Sequence, residues 1–382
     1  MYAATHRGSD RGGTFTDVWA SVPGQKDIVL KLLSVDPDNY DDAPSEGIRR
    51  VLEIVSGRDI GRRSPIPKDL IHSIRMGTTV ATNGTVTVAQ NPFLRPTSNE
   101  SITIALLERK GRRHGFIVSK GFGDLIEIGH QSRPKLFELG IRKPVLLYSE
   151  VVEISERITV ECFDEDTTNS RPAPKESPGL FIKGITGDIL RILQPLDEAE
   201  VITKFDALRA KGIDALAVCF VHSYLYPKHE ERIAEIARGM GFNHVSISSE
   251  VGANMIKMIS RGSSASADAY LTPEIVQYVD GFARGFDDGN LDGISCEFMQ
   301  SDGGLVSHKN FNGLRGILSG PAGSFGFLHS QFRDCADHWA KFRWCCRACA
   351  DFLRWRISRC RLRHGRNIHR CQPVWRILRA CI

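Results

Sequence analysis

The chain has 382 residues, enough for two or three domains with their own cores, and its formal net charge at pH 7 is +5. Its longest apolar run, residues 215–221, is too short to span a bilayer, and its first residues lack the apolar core of a signal peptide. We therefore expect a cytoplasmic protein. Residues 331–382 stand apart, with 13 Lys and Arg against three acidic residues, seven of the ten Cys and four of the five Trp.

The first predicted element is a phosphate-gripping β-hairpin at residues 10–18, Asp-Arg-Gly-Gly-Thr-Phe-Thr-Asp-Val. Its two glycines let the backbone approach an anion closely, and its two threonines can donate hydrogen bonds to phosphate oxygens. Its two aspartates can hold a divalent cation or position water. Because Val18-Trp19-Ala20 reads as a strand, the loop connects two strands, unlike phosphate loops that open a helix. An ordinary Gly-Gly hairpin turn is the alternative.

Helical and strand patterns then alternate along residues 42–300. Asp42–Val55 has helical spacing, and Ile71–Met76 reads as a strand that leads into Gly-Thr-Thr-Val-Ala-Thr-Asn at residues 77–83. The later predicted elements are helix 197–211, strand 215–221, helix 228–240, strand 244–248, helix 267–282 and strand 297–300. This alternation predicts an α/β layered fold.

Four separated strings carry a resemblance to a known family. They are residues 10–18, Met-Gly-Thr-Thr-Val-Ala-Thr-Asn at 76–83, Ser-Lys-Gly-Phe-Gly-Asp at 119–124 and Gly-Pro-Ala-Gly at 320–323. In this order they resemble the hydantoinase A/5-oxoprolinase family, above all its eukaryotic ATP-dependent members, over about residues 10–323. The resemblance implies an α/β fold of the actin/Hsp70/sugar-kinase ATPase type, in which two phosphate hairpins clamp a nucleotide from two lobes.

The resemblance also implies a reaction, the ATP-driven opening of the 5-oxo-L-proline lactam to L-glutamate in glutathione turnover. The lactam is stable, and phosphorylation of its carbonyl oxygen makes a ring that water can open. The implied cofactors are ATP and Mg²⁺, because charge that develops on phosphate needs a cation and hydrogen-bond donors. The implied partners are ATP and a small-molecule substrate, 5-oxoproline or a hydantoin. Homodimers are expected, with no nucleic-acid or membrane partner.

Mapped motif by motif, the resemblance implies roles for individual residues. Asp10 and Asp17 would hold the metal and act in catalysis together with Thr79. The remaining residues would grip the phosphates (Arg11, Gly12, Gly13, Thr14, Thr16) or contact the substrate (Thr78, Asn83, Arg133, Ser301, Asp302).

Several of these residues have a plainer interpretation. Thr78 and Thr79 could cap a following helix. Arg133 could be a solvated surface residue, although its fork of donors suits a substrate carboxylate. The string Ser-Asp-Gly-Gly at residues 301–304 could be a simple turn at the end of a strand.

The predicted organisation is an N-terminal family domain over residues 7–248, the start of a second family domain over 249–323, and a tail over 324–382. In the family pattern Asn83 runs directly into the Ala-Leu-Leu-Glu-Arg that begins here at Ala105. Residues 84–104 have no clear hydrophobic period. Their 21 codons correspond to 63 nucleotides, the length of a short intron whose retention would leave the reading frame unchanged. We interpret them as a retained intron that preserves the reading frame, with a surface loop as the alternative.

The tail is interpreted as out-of-frame translation after a second retained intron at about residues 324–342. Codons for Cys360–Arg376 can be chosen so that the shifted frame reads Asp-Met-Gly-Gly-Thr-Ser-Thr-Asp, the second phosphate motif that the family pattern requires. Two alternatives treat the tail as genuine protein: a basic nucleic-acid-binding arm, or a zinc site formed by Cys335, His338, Cys346 and Cys349.

These departures predict that the chain as written has no measurable ATPase or oxoprolinase activity, since a nucleotide clamp needs donors on both sides. Other functions stay open. A hydantoinase or a sugar-kinase-like phosphotransferase could use the same hairpin. A non-catalytic protein could bind zinc or nucleic acid through the tail.

Overall fold

The computed structural model describes residues 5–11, 15–62, 64–78, 111–130, 145–162, 177, 179–252, 255–317 and 319. The described residues of Met1–Gly111 and Glu274–Cys371 form one compact unit, here called unit 1, and those of Arg112–Pro273 form unit 2. Unit 1 thus takes its residues from both sides of unit 2 in the sequence.

The described helices and strands follow in chain order. The strands are β1 (Thr5–Arg11), β2 (Phe15–Ser21), β3 (Ile28–Leu33), β4 (Ile71–Thr78), β5 (His114–Ser119), β6 (Glu150–Ile154), β7 (Arg157–Cys162), β8 (Phe181–Lys183), β9 (Ile189–Gln194), β10 (Ala215–Cys219), β11 (His244–Ile247), β12 (Ser295–Met299) and β13 (Leu305–Ser307). The helices are α1 (Ala43–Ser56), α2 (Leu125–Ile128), α3 (Glu198–Ala210), α4 (Lys228–Gly239), α5 (Ser248–Val251) and α6 (Met258–Ala283). They confirm the predicted α/β alternation.

Unit 1 is built on a six-stranded sheet in the order β13-β12-β4-β1-β2-β3. Strands β1, β2 and β3 form an antiparallel meander, while β1, β4 and β12 are parallel to one another. Helix α1 covers the meander, where Val18 and Ala20 pack against Ala43 and Val51. A Cβ atom at Gly47 of α1 would overlap Val18, so the helix can lie this close to β2 only with a glycine there.

A side-chain cap at the start of α1 and a glycine after its last residue fix the two ends of this helix. The Asp42 carboxylate accepts a hydrogen bond from the Ser45 backbone N–H at 3.0 Å, which caps the first turn. Gly57 follows the last helical residue with φ +65°, a conformation that favours glycine. The predicted helix 42–55 is therefore confirmed to within one residue at each end.

Unit 2 contains a four-stranded parallel sheet in the order β11-β10-β5-β6 and a separate antiparallel sheet, β7-β9-β8. All five residues of β10 are buried, as expected of the centre of a parallel sheet. The predicted strand 215–221 ends two residues early. The Phe220 N–H donates to the Glu230 carboxylate at 2.8 Å, and the Val221 N–H donates to Ser119 Oγ at 3.0 Å, so neither amide joins the ladder.

Helix α6 begins at Met258, nine residues before the predicted start at Ala267. The added segment contains Gly262 and several serines, which are weak helix formers. It is nevertheless helical because it packs closely on unit 2: a Cβ atom at Gly262 would lie 3.1 Å from the Phe116 ring and 3.4 Å from Cys219 Sγ. Tertiary packing overrides local propensity there.

Acid is expected to destabilise unit 2 through His114, the buried first residue of β5. Its Nε2 lies 2.9 Å from Ser266 Oγ, and burial, with a smaller contribution from His244, lowers its pKa from 6.5 to about 4. Between these two pH values the unfolded chain binds more protons than the folded one, so stability rises with pH across this window. At about 1.4 kcal/mol per pKa unit, we expect about 3 kcal/mol to be lost between neutral pH and pH ~4.

Urea unfolding at several pH values between about 4 and 7 measures this loss. The variant His114→Gln keeps hydrogen-bonding capacity without a titratable ring, and we expect a flatter pH profile for it. Against the effect of burial, hydrogen bonds from His244, Ser246 and Thr272 lower the pKa of the Asp268 carboxyl from 3.8, so the stability that it contributes is lost only as the pH falls below about 4. Equal slopes for the parent chain and His114→Gln would contradict the prediction.

Candidate functional site

The predicted phosphate hairpin lies at one edge of the unit 1 sheet. Because β1, β4 and β12 are parallel, their carboxyl ends meet at the same edge, at Arg11, Thr78 and Met299. Loops beyond the carboxyl ends of parallel strands are where open α/β sheets bind ligands. Three of the sequence strings singled out above leave the sheet there.

The strand register brings several predicted site residues to neighbouring positions. Asp10 on β1 pairs with Asp17 on β2 and with Gly77 on β4. One position further, Arg11 lies between Thr16 and Thr78. The predicted strand–loop–strand arrangement is confirmed, and two aspartates occupy directly paired positions on adjacent strands.

Asp17 and Thr16 lie on opposite faces of β2. The Asp17 side chain is 58% exposed and forms an ion pair with Lys31 Nζ at 3.0 Å. Its carboxylate is therefore open to solvent and ligands. The Thr16 side chain is fully buried beside α1, and its hydroxyl lies 3.0 Å from Ser34 Oγ. Because that hydroxyl has a protein partner here, donation from Thr16 to phosphate stays a prediction.

The string at residues 301–304 forms the turn between β12 and β13. Ser301 Oγ donates to the Arg315 carbonyl at 2.6 Å, and Asp302 Oδ1 accepts from the Gly304 N–H at 2.8 Å. Gly303 has φ +86°. These contacts are those of a simple turn at the end of a strand, the alternative to a substrate-binding role for residues 301–304. Contact of Ser301 and Asp302 with substrate stays a prediction.

The string Ser-Lys-Gly-Phe-Gly-Asp at 119–124 has a clear local role in unit 2. The N–H groups of Gly121 and Gly123 both donate to Glu153 Oε1, at 3.0 and 2.8 Å, and Gly121 has φ +88°. Ser119 Oγ accepts from the Val221 N–H and donates to the buried Glu156 at 3.3 Å. The string therefore fixes the chain after β5 against its two neighbouring strands, β6 and β10.

A buried ion pair in unit 2 was not predicted from the sequence. Arg261 of α6 and Glu230 of α4 are both fully buried, with Arg261 Nη1 3.9 Å from Glu230 Oε1. Glu230 accepts hydrogen bonds from the Phe220 N–H at 2.8 Å, from Ser248 Oγ at 2.7 Å and from the Ser249 N–H at 2.8 Å. The pair thus joins the carboxyl ends of β10 and β11 to two helices.

Arg261 also contacts groups around that edge. It donates to Ser223 Oγ, to Ser248 Oγ at 2.5 Å and to the Phe220 carbonyl at 3.1 Å. Burial raises the pKa of the neighbouring Cys219 thiol to about 12, so this thiol stays protonated at neutral pH and is not a nucleophile. The arrangement is that of a structural polar network.

The other predicted site residues lie outside the described residues: Gly12, Gly13, Thr14, Thr79, Asn83 and Arg133. So do the segment 84–104 and the proposed zinc ligands Cys335, His338, Cys346 and Cys349. No side-chain geometry is described for Asp10, Arg11 and Thr78. In the part of the chain that the structure describes, no three His, Cys, Asp or Glu side chains converge on a metal position, and no helix is long and apolar enough to cross a membrane.

Two sequence profiles of one protein family match successive parts of the chain. A profile described as the hydantoinase/oxoprolinase N-terminal region matches residues 8–92 and 100–241, and one described as hydantoinase/oxoprolinase matches residues 261–335. The first match leaves out residues 93–99, which lie inside the segment 84–104.

Individual relatives agree with the profiles. The chain is 48% identical over 325 residues to 5-oxoprolinase 1 from Arabidopsis thaliana and 45% identical over 317 residues to 5-oxoprolinase from Saccharomyces cerevisiae. These alignments cover 85% and 82% of this chain but 23% of each relative, so the chain spans about a quarter of their length.

A solved structure shows the fold. The ATP-dependent caprolactamase from Pseudomonas jessenii superposes with a TM-score of 0.57 at 23% identity, over 83% of this chain and 39% of that one. The α/β fold implied by the sequence strings is thereby confirmed.

Proposed function

Because this chain belongs to the hydantoinase/oxoprolinase family, we propose that it carries the first phosphate-binding hairpin of an enzyme that uses ATP to open 5-oxo-L-proline to L-glutamate. The observation that carries this proposal is the identity of 48% and 45% to relatives named 5-oxoprolinase. The β1–β2 hairpin supports it, since Asp10 and Asp17 pair beside the carboxyl end of β4.

The proposed chemistry conserves atoms in two stages. The terminal phosphoryl group of ATP passes to the carbonyl oxygen of the lactam, and water then adds to the activated carbon. The C–N bond breaks, the nitrogen takes a proton, and phosphate leaves as the carboxylate forms. Phosphorylation supplies the leaving group that an unactivated lactam lacks.

The hairpin residues have distinct parts in this proposal. Backbone N–H groups at residues 12–14 and the Thr14 hydroxyl orient the phosphates, while Asp17 holds a cation or the attacking water. Asp17 is suited to bind Mg²⁺ because its carboxylate is exposed. Its ion pair with Lys31 lies on the surface and contributes little stability, so it can be broken at little cost. Mg²⁺, when bound, supplies positive charge against the phosphoryl group in transfer.

The finer assignments belong to the same proposal: a role in glutathione turnover, a cytoplasmic location, a homodimeric state and the choice of 5-oxoproline over a hydantoin. Relatives named 5-oxoprolinase support the substrate choice.

The test begins with the mature transcript, sequenced across the codons for residues 83–105 and 323–382. We expect both proposed introns to be absent and the second phosphate motif to be in frame. The protein which that transcript encodes is then assayed with Mg²⁺, ATP and either 5-oxo-L-proline, hydantoin or glucose, with ADP and glutamate as readouts. ADP and glutamate formed together with 5-oxoproline support the proposal. ADP release stimulated only by hydantoin or glucose overturns it.

A further inference from the structure

The carboxyl edge of the parallel sheet in unit 2 contains a topological switch point. The chain after β5 crosses the sheet face on which Ile126 of α2 packs with Phe116 and Val118. The chain after β10 crosses the opposite face, on which Ile233 of α4 packs with Val218. Because β5 and β10 are hydrogen-bonded neighbours, the two connections part where these strands end. Open α/β sheets bind ligands in the crevice beside such a point.

Buried side-chain atoms without a hydrogen-bond partner are concentrated at this edge. Of the seven such N or O atoms among the described residues, four belong to residues that lie there: Glu156 Oε1, His229 Nδ1, Ser249 Oγ and Arg261 Nε. Folded proteins leave few buried polar atoms unpaired, and each calls for an explanation such as a strained element, a chemical role or a bound species. Their concentration at one sheet edge indicates a site.

Glu156 supplies the hydrogen-bond acceptor of this site. It follows the last residue of β6 by two positions, and its side chain is fully buried. Ser119 Oγ, at the end of β5, donates to Glu156 Oε2 at 3.3 Å. Oε1 faces His229 Nδ1 across 3.8 Å, which is beyond hydrogen-bond distance. Oε1 therefore keeps acceptor capacity that an N–H group of a ligand can fill.

His222, three residues after β10, has a strained backbone beside this carboxylate. Among the described residues it is the one non-glycine residue with a positive φ, +58°. Burial, and then the positive charges of Arg261 and Arg157, lower the pKa of its half-buried imidazole, while Glu156 acts in the opposite direction. Strain of this kind is typical of binding sites. It also lowers the cost of a shift of the chain at His222.

Two positively charged residues lie next to Glu156. The Arg157 guanidinium has five N–H groups, one of which donates to the Lys120 carbonyl at 3.1 Å, and it stacks 4.6 Å from the centre of the Phe122 ring. The Lys120 residue is exposed. The nearby Glu153 carboxylate is already held by two glycine N–H groups. The free N–H groups of Arg157 suit a carboxylate, and its adjacency to Glu156 lets one small molecule reach both.

We propose that the carboxyl edge of the unit 2 sheet binds a small carboxylic acid that carries an N–H group. The carboxylate of the ligand binds Arg157 and Lys120, and its N–H donates to Glu156 Oε1. Because Glu156 is fully buried, the ligand enters when the chain at His222 shifts. Lactam acids and α-amino acids belong to this class. The choice of 5-oxo-L-proline as the probe rests on the proposed function, whereas the site rests on the contacts above.

The test compares three compounds by calorimetry, without nucleotide, on the protein that the mature transcript encodes. The compound 5-oxo-L-proline has both groups, 5-oxotetrahydrofuran-2-carboxylate has a ring oxygen in place of the N–H, and 2-pyrrolidinone lacks the carboxylate. We expect 5-oxo-L-proline to bind about 10- to 100-fold more tightly than the lactone acid, the range for a hydrogen bond to a charged group. Binding of 2-pyrrolidinone should also be weaker than that of 5-oxo-L-proline.

Two variants separate the two contacts. In Glu156→Gln the preference for the lactam acid over the lactone acid should fall to within about threefold or reverse. In Arg157→Gln both acids should bind about tenfold more weakly or worse, with 2-pyrrolidinone unchanged. The matched control is Glu150→Gln, at the opposite end of β6, where the carboxylate pairs with Lys211 at 2.9 Å. It should leave all three affinities unchanged.

Equal binding of the lactam acid and the lactone acid by the parent protein overturns the proposal, as does no binding of either. An unchanged preference in Glu156→Gln does so too. Should Glu156→Gln fail to fold, the ranking of the three compounds in the parent and in Arg157→Gln gives the decision. Turnover of 5-oxo-L-proline alongside any contrary result leaves the proposed function standing and this site refuted. Selective binding without turnover supports the site and contradicts the proposed function.

Discussion

Replacing Asp17 with asparagine is expected to lower kcat for ATP-dependent opening of 5-oxo-L-proline by about 100-fold or more, in the protein that the mature transcript encodes. The amide keeps the size of the side chain and removes the charge that holds the cation or activates water. The fold should not suffer, because Asp17 is 58% exposed and its partner Lys31 is 60% exposed. Such a surface ion pair contributes about 0–1 kcal/mol.

Asp27→Asn is the matched control. Asp27 is exposed, lies just before β3 and accepts a hydrogen bond from Trp19 Nε1 at 3.2 Å, so it shares the meander but not the edge that carries the hairpin loop. We expect kcat for Asp27→Asn within about twofold of the parent, and a Tm within about 2 °C of the parent for both variants. A normal kcat for Asp17→Asn would show that the Asp17 carboxylate neither holds the cation nor activates water in this reaction.

Replacing Glu230 with alanine is expected to lower the free energy of unfolding by about 3–5 kcal/mol, because the fully buried Arg261 would lose its carboxylate partner. Three donors at the ends of β10 and β11 would lose their acceptor as well. Equilibrium denaturation followed by circular dichroism measures the change.

Glu231→Ala, in the same first turn of α4 but exposed, should change stability by no more than about 0.5 kcal/mol. A double variant, Glu230→Met/Arg261→Met, removes both charges and should recover part of the loss, since neither charge is then left unpaired. A loss below about 1 kcal/mol in Glu230→Ala would mean that water reaches the network and replaces the carboxylate.

Local signals in the sequence account for the features that were predicted well. The Gly-Gly pair between two short strand patterns predicted the hairpin, and the helical spacing of apolar residues that begins at Asp42 predicted α1. The burial of Thr16 was not predicted, although Thr16 is in phase with Val18 and Ala20, whose apolar side chains lie on the covered face of β2.

Long-range partners were not predictable in the same way. Nothing in the local pattern around Glu230 or Arg261 distinguishes these residues from surface charges, and only the packing of α4 and α6 at the parallel sheet brings them together. The ion pair between Lys68 and Asp288 is likewise formed only by the completed sheet. Periodicity reports which face of an element is buried, not which distant charge will meet it.

The pairing of β4 with β12 also has a consequence for how the protein is made. Arg75 and Glu297, which pair across these strands, are 222 residues apart. On a ribosome that adds about 5–20 residues per second, β4 waits for roughly 10–45 s before its neighbour is synthesised. During that interval the β1–β4 side of the sheet presents an unpaired edge that can template aggregation. Yield should therefore depend on translation speed and on holdase chaperones more than on the stability of the finished fold.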